Sequence, residues 1–326
     1  MSETGGWVFL SHSHLDIDIV RQIRNKLEKM GFNPLTFYLK CLNDDDEIEE
    51  LIKREIRERE WFIFVNSRNA RNSRWVETER DYIEEIGGKN VCVINTNSAE
   101  TEIDQILNHL ADHMLINIVY SENDHLYAEQ AEQILLLHDF SVRRIGLNVP
   151  LQDPSQIREI MENGNGFFMF ILTEQNIPSL SCLAELDAIS LQDRHVILAM
   201  EEEMDCLSTG MAIFQLAGSF VVKEMDADQK ERFYKAIRSL IKWNYHDFTT
   251  SDGFLSARII HYPEIEAIND YAFSDCSALE EVYIPDSVVY ISVKAFEGKE
   301  GVLVHCSEGS HAEHFCRIHH FRYTLQ

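Results

Sequence analysis

The seven residues SRWVETE, Ser73 to Glu79, hold the residue types best suited to chemistry in this chain. They open an amphipathic helical pattern directly after WFIFVNS, Trp61 to Ser67, an apolar run that reads as a strand. Strand followed by helix places the Glu79 carboxylate a turn into a helix at the carboxyl edge of a parallel sheet, where ligands of open α/β sheets bind. A second string, WVFLSHSHLD from Trp7 to Asp16, reads as strand, turn and helix start, with Phe9, Ser11 and His12 at the end of the strand. The two strings together are much harder to obtain by chance than either alone.

Each of these residues also has a plainer reading. Glu79 is one of several acids in VETERDYIEE and by itself suits a solvated helix face. A tryptophan at a helix start, as Trp75 is, often only packs. Glu77 lies about 200° from Glu79 around a helix, so the two cannot act as one paired-carboxylate site. His12, His14 and Asp16 raise the question of a metal, but strand-end spacing gives them no convergent geometry. The C-terminal set His305, Cys306, His311, His314, Cys316, His319 and His320 lacks a standard zinc-finger spacing. No metal site is expected.

The elements that must position these residues follow an alternating order. WVFLS is a strand, and Ile17, Val20, Ile23 and Leu27 recur at helical spacing until Gly31 stops the helix. Phe32 to Phe37 gives a second strand, the polar loop Leu39 to Glu47 leads to a helix from about Glu49 to Glu60, and VCVIN closes the series after the Ser73 helix. Strands alternating with helices imply a parallel sheet covered on both faces.

The pattern then restarts. Ser13 and Ser121 are 108 residues apart, as are Phe32 and Phe140, so a whole βα unit recurs in register. GFFMFILTEQNIPSLSCLAELDAI tracks the stretch from Trp61 at an offset of 106, pairing Ser179 with Ser73 and Glu185 with Glu79. HVILAM and a helix from Ala227 to Trp243 complete a diverged second copy. After Asp247, I-x-x-x-A-F occurs at Ile268 to Phe273 and again at Ile291 to Phe296, a period of 23 residues. That period lies in the range of leucine-rich repeats, and so short an array is expected to lean on a neighbouring domain.

Composition narrows the setting. The chain of 326 residues suggests two or three domains, and 45% hydrophobic residues suffice for their cores. FFMFIL, the longest wholly apolar run, is far short of the about 20 residues of a membrane span. MSETGGW lacks an export signal, and seven cysteines without a C-x-x-C pair look like reduced thiols, so a cytoplasmic protein is expected. The net charge of −26 repels phosphate backbones and anionic bilayers, which argues against nucleic acid and membrane as partners. A small anionic dinucleotide remains possible in a local pocket with helix N-termini.

FLSHSHLD followed by SRWVETE resembles the first and central motifs of TIR domains of the bacterial and plant type that cleave NAD. The resemblance covers roughly residues 5–110, and the chain is similar to TIR proteins of bacterial antiphage defence, including the signal-making enzymes of Thoeris systems. The family pattern Ser-x-Trp-Cys-x-x-Glu is met at Ser73, Trp75 and Glu79, with Val76 in place of a cysteine that is not the catalytic group. Residues 114–245 resemble a degenerate second TIR fold that keeps Ser179, Cys182 and Glu185 but has Ser181 where the tryptophan belongs. The tail from about 257, including EGSHAEHF, resembles BspA-type leucine-rich repeats.

The resemblance implies an α/β protein of two tandem flavodoxin-like parallel-sheet domains, 1–110 and 111–247, followed by a short leucine-rich-repeat segment, 248–326. It implies Glu79 as catalytic carboxylate, with Phe9, Ser11, His12, Ser73 and Trp75 lining the site for NAD, which is a substrate; no cofactor is expected. Cleavage between nicotinamide and ribose passes through a cation-like sugar, which a carboxylate beside the ribose can orient and stabilise. The loop Leu39 to Glu47 corresponds to one that completes a neighbour's site, so a homo-oligomer through TIR contacts is expected, with a protein trigger at the repeats. Glu185, without these companions, suits packing or regulation. The rival expectation is a non-catalytic TIR scaffold with a repeat docking surface.

Overall fold

A computed structural model of the chain describes residues 5–36, 45–148, 152–162, 164–173, 175–176, 178–179, 181–182, 184–186, 196–201, 219–220, 225–240, 258–261, 265–270, 272–273, 276–299 and 301–326. They gather into two compact units, one joining Trp7–His109 to Lys242–Gln326, the other joining Met1–Gly6 to Leu110–Ile241. The repeat segment thus packs with the first α/β segment, remote from it in sequence.

In the first unit, β1 (Trp7–Ser11), β2 (Asn33–Leu35), β3 (Trp61–Asn66) and β4 (Asn90–Asn95) form one sheet in the order β2-β1-β3-β4. All three ladders are parallel. Helices on the faces bury both sides of the central strands, which is why WFIFV and NVCVI read as continuous apolar runs without alternation. Helix α1 (Ile17–Lys29) buries Val20, Ile23 and Leu27 and ends before Gly31, whose φ of 91° suits glycine. Helix α2 (Asp45–Glu58) follows the expected loop, of which residues 39–44 lie outside the described set. The short α3 (Arg68–Arg71) leads into α4 (Arg74–Ile86), and α5 (Glu100–Met114) follows β4.

The first unit also holds a second, smaller parallel coil. Strands β10 (Ile259–His261), β12 (Glu281–Tyr283), β14 (Leu303–Cys306) and β15 (Arg322–Leu325) pair in that order, all in parallel. The 23-residue repeat brings Ala267 beside Tyr290 and Ile268 beside Ile291 in the two-stranded ladder of β11 (Ala267–Ile268) and β13 (Tyr290–Ile291). Phe273 and Phe296, the phenylalanines of the two I-x-x-x-A-F strings, pack as a tilted pair with ring centres 4.7 Å apart in this coil's core. The terminal helix His311–His319 adds Phe315 and Cys316 to that core.

In the second unit, β5 (Leu115–Ser121), β6 (Ser141–Leu147), β7 (Phe167–Leu172), β8 (Val196–Glu201) and β9 (Ser219–Phe220) form a parallel sheet in the order β6-β5-β7-β8-β9. Helix α6 (His125–Leu137), α7 (Pro154–Glu162) and the helix Ala227–Leu240 accompany it. The sequence offsets of 108 and 106 reappear as strand register. Val8 pairs with Trp61 in the first sheet, and Ile116 pairs with Phe167 in the second. Among the described residues, no helix is long and apolar enough to cross a membrane.

Candidate active site

Helix α4 follows β3 through α3 and carries two buried acids, Glu79 and Glu84, on different sides of the helix. Buried carboxylates are costly unless they are bonded or protonated. Glu79 is 5% exposed, and its Oε2 accepts a 2.5 Å hydrogen bond from the Ser11 hydroxyl at the end of β1. Burial pushes the Glu79 carboxyl up to about 8, with the Ser11 hydrogen bond acting in the opposite sense. The group is therefore protonated in much of the neutral range and sensitive to any positive charge brought beside it.

The other expected site residues fall into different surroundings. Phe9 points into the core, 1% exposed, with its ring 5.3 Å from Phe62. It shares a strand face with Ser11, two residues on, and packs there against Ile52 and Ile83 in the apolar core under the helices. His12 sets Nδ1 2.8 Å from the Leu10 carbonyl, which only accepts, so Nδ1 carries the proton. Burial lowers the His12 pKa, with the Leu10 bond opposing. Ser73 is the N-cap residue of α4, yet its side chain makes no capping hydrogen bond. Trp75 lies half-buried against the core, and the Arg74 guanidinium sits 5.3 Å from its ring centre. Of the expected residues, the structure joins Ser11 and Glu79 directly.

An open cleft of about 560 Å³ does exist in this unit, but it lies on the other face of α4. Val76, Glu77 and Arg80 line it from α4, and Val289, His311 and Arg317 from the repeat segment; Ser11 and Glu79 do not. Helix geometry separates them, since Glu77 and Glu79 point to nearly opposite sides. The Ser11–Glu79 pair is sealed in this state.

One constellation beside the pair escaped the sequence reading. Asp16 accepts hydrogen bonds from the Ser67 hydroxyl at 2.5 Å and from Asn69 at 2.8 Å, which ties the start of α1 to the end of β3. The second unit repeats it. Asn176 donates to Asp124 at 2.5 Å, and the Thr173 hydroxyl donates to Asp124 at 3.3 Å. The offsets take Asp16 to Asp124 and Ser67 to Thr173, and that recurrence was the available signal.

Glu185, which the offset of 106 pairs with Glu79, is differently housed. Arg158 Nε and Nη2 reach the two Glu185 oxygens at 2.6 and 2.7 Å, and this arginine lowers the Glu185 pKa. At Ser11's register stands Val119, opposite Phe170 as Ser11 is opposite Phe64. Valine offers a carboxyl group no hydrogen bond.

The C-terminal histidines and cysteines do not converge. Cys306 and Cys316 are buried in the coil's core, His305 bonds Glu281, and His311 bonds Glu84. Among the described residues, no group of three or more His, Cys, Asp or Glu is placed to hold a metal ion.

Residues 8–114 match the family model of the TIR domain. Over 104 residues the chain is 27% identical to the putative cyclic ADP-D-ribose synthase TIR2 of Cytobacillus dafuensis, a match that covers 29% of this chain and 27% of that protein. The match thus spans about a quarter of that relative's length. No solved structure matches the chain.

Proposed function

We propose that the TIR domain over residues 8–114 cleaves NAD between nicotinamide and ribose, with Glu79 as the essential carboxylate. The observation that supports this most directly is the buried Ser11–Glu79 hydrogen bond at the carboxyl edge of the sheet. The name of the relative, a putative cyclic ADP-D-ribose synthase, points to the same bond.

In this reading, the ribose hydroxyls of bound NAD take over the hydrogen bond that Ser11 makes to Glu79. The cationic pyridinium and the cation-like sugar favour ionised Glu79, so the raised pKa falls when substrate binds. The bond from C1′ to the ring nitrogen breaks and both electrons leave with neutral nicotinamide. The carboxylate offsets the positive charge growing on the sugar. Water or an internal nucleophile then captures the sugar, which gives a linear, cyclic or conjugated ADP-ribose. The second parallel sheet is read as a diverged TIR fold with a non-catalytic role, and the C-terminal coil as leucine-rich repeats that receive a protein trigger. Antiphage signalling in the cytoplasm, by a homo-oligomer joined through TIR contacts, is the setting that the motifs suggest.

The test is mass spectrometry of the small molecules formed from NAD by the full chain and by Glu79→Gln. Nicotinamide and an ADP-ribose product from the first, and neither from a folded second, are the expected result. A folded wild-type chain that neither binds NAD nor releases nicotinamide would overturn the reading. The sealed pair and the open cleft on the opposite face of α4 favour one rival, a non-catalytic TIR scaffold. Full biological activity of Glu79→Ala would support that rival.

A further inference from the structure

The first sheet ends at β4, whose outer edge would present unpaired backbone groups. In the second sheet the corresponding strand, β8, is followed by β9. Among the described residues, the first sheet has no such strand, and side chains of the repeat segment stand in its place. Asn269, 1% exposed, accepts a 2.9 Å hydrogen bond from the Val91 amide and donates one of 2.9 Å to the Val91 carbonyl. Its side-chain amide thus does for Val91 what a neighbouring peptide group does within a ladder. Asn95, at the end of β4, donates to Glu266, and the Gly88 amide just before β4 donates to Asp270. Ala267 and Tyr290 of the repeats belong to the same apolar core as Phe9, Phe62 and Val91.

The segment also grips α4. Glu84 lies five residues beyond Glu79, and its Oε1 accepts from the Ile291 amide at 3.3 Å and contacts His311 Nε2 at 2.6 Å. One helix therefore carries two buried acids, one bonded to the first strand and the other to the repeats. A shift of the repeat segment along β4 must break these bonds or move α4 with it.

We infer that Asn269 and His311 are positioning residues for the Glu79 site, the repeat segment serving as the outer element of the first sheet. This rests on Glu79 being the carboxylate that acts on NAD. In this arrangement the repeats are no detached sensor arm. Whatever displaces them reaches Glu79 through β4 and α4.

The experiment uses the full chain with Asn269→Leu, His311→Leu and His311→Gln, read by amide hydrogen exchange and by kcat and KM for nicotinamide release. In Asn269→Leu, exchange at Val91 is expected to rise at least about tenfold, the worth of one to two hydrogen bonds. In His311→Leu, exchange is expected to rise across the last turns of α4. In both, kcat falls more than KM changes. His311→Gln, which can still donate to Glu84, restores both readouts toward wild type. Unchanged exchange in both leucine variants overturns the inference, as does raised exchange with turnover untouched. Should Asn269→Leu fail to fold, the two His311 variants carry the test. If the wild-type chain releases no nicotinamide, the proposed activity fails, and the exchange data still decide whether the repeats hold β4 and α4.

Discussion

Ser11 and Glu79 stand 68 positions apart in the chain and meet through a 2.5 Å hydrogen bond in a buried setting. The second α/β unit has the same strand register, yet Val119 replaces the serine and Arg158 holds the glutamate. The two units therefore hold carboxyl groups 106 positions apart in opposite states, one held toward its neutral form and the other committed to an ion pair. Glu79 is poised to respond to an incoming cation, whereas Glu185 already has one.

Stability should record the buried state of Glu79. The folded chain keeps this proton up to about pH 8, whereas the unfolded chain releases it near the ordinary value of 4.5. Above pH 4.5 the unfolded state binds fewer protons, so this group lowers stability as pH rises toward 8 and adds nothing further beyond. The slope reaches at most about 1.4 kcal/mol per pH unit. Glu79→Gln should flatten that part of the profile in urea titrations at pH 5, 6.5 and 8. An unaltered slope would mean that Glu79 is ionised at rest.

Ser11→Val copies the second unit into the first. It removes the one bond that lowers the Glu79 pKa, so the pH midpoint of nicotinamide release should move upward. Turnover at pH 7 should fall, by roughly tenfold for each pH unit that the midpoint moves, because less of the carboxyl group is ionised. A pH–rate profile of variant and wild type checks both.

Arg158→Ala should leave the second unit folded with little loss of stability, because the arginine side chain is well exposed. Freeing Glu185 should create no NAD turnover in a chain that also carries Glu79→Gln. Measurable nicotinamide release from that double variant would show that the second copy retains a working site.

The Asp16 latch is expected to be structural, since the second unit keeps its equivalent without the Ser11–Glu79 pair. Asp16→Ala should cost about 1–3 kcal/mol by leaving Ser67 without its acceptor. Asp124→Ala should cost more, because Asp124, Thr173 and Asn176 are all buried. Denaturant midpoints decide the order. Loss of nicotinamide release in Asp16→Ala with no loss of stability would instead tie the latch to chemistry.

Much of the architecture was legible in the residues. Apolar runs such as WFIFV and NVCVI, helical spacing in α1, and Gly31 as a stop are local properties, and local sterics and burial fix them. The recurrence of Ser13 at Ser121 and of Trp61 at Phe167 became strand register, because pairing in a parallel sheet preserves spacing. Glu79 and Ser11 were legible as candidates because each ends or follows a strand at the sheet's carboxyl edge. Three facts came only with the folded chain. Glu79 is sealed against Ser11 and not set in the open cleft, because the helical period fixes the direction of each side chain on α4 but not what covers each face. Phe9 belongs to the core, because α2 and α4 cover the face of β1 that it shares with Ser11. Asn269 closes the edge of β4 from 178 residues away, a contact that no periodicity encodes, since an unpaired strand edge takes whatever donor and acceptor the tertiary fold brings to it.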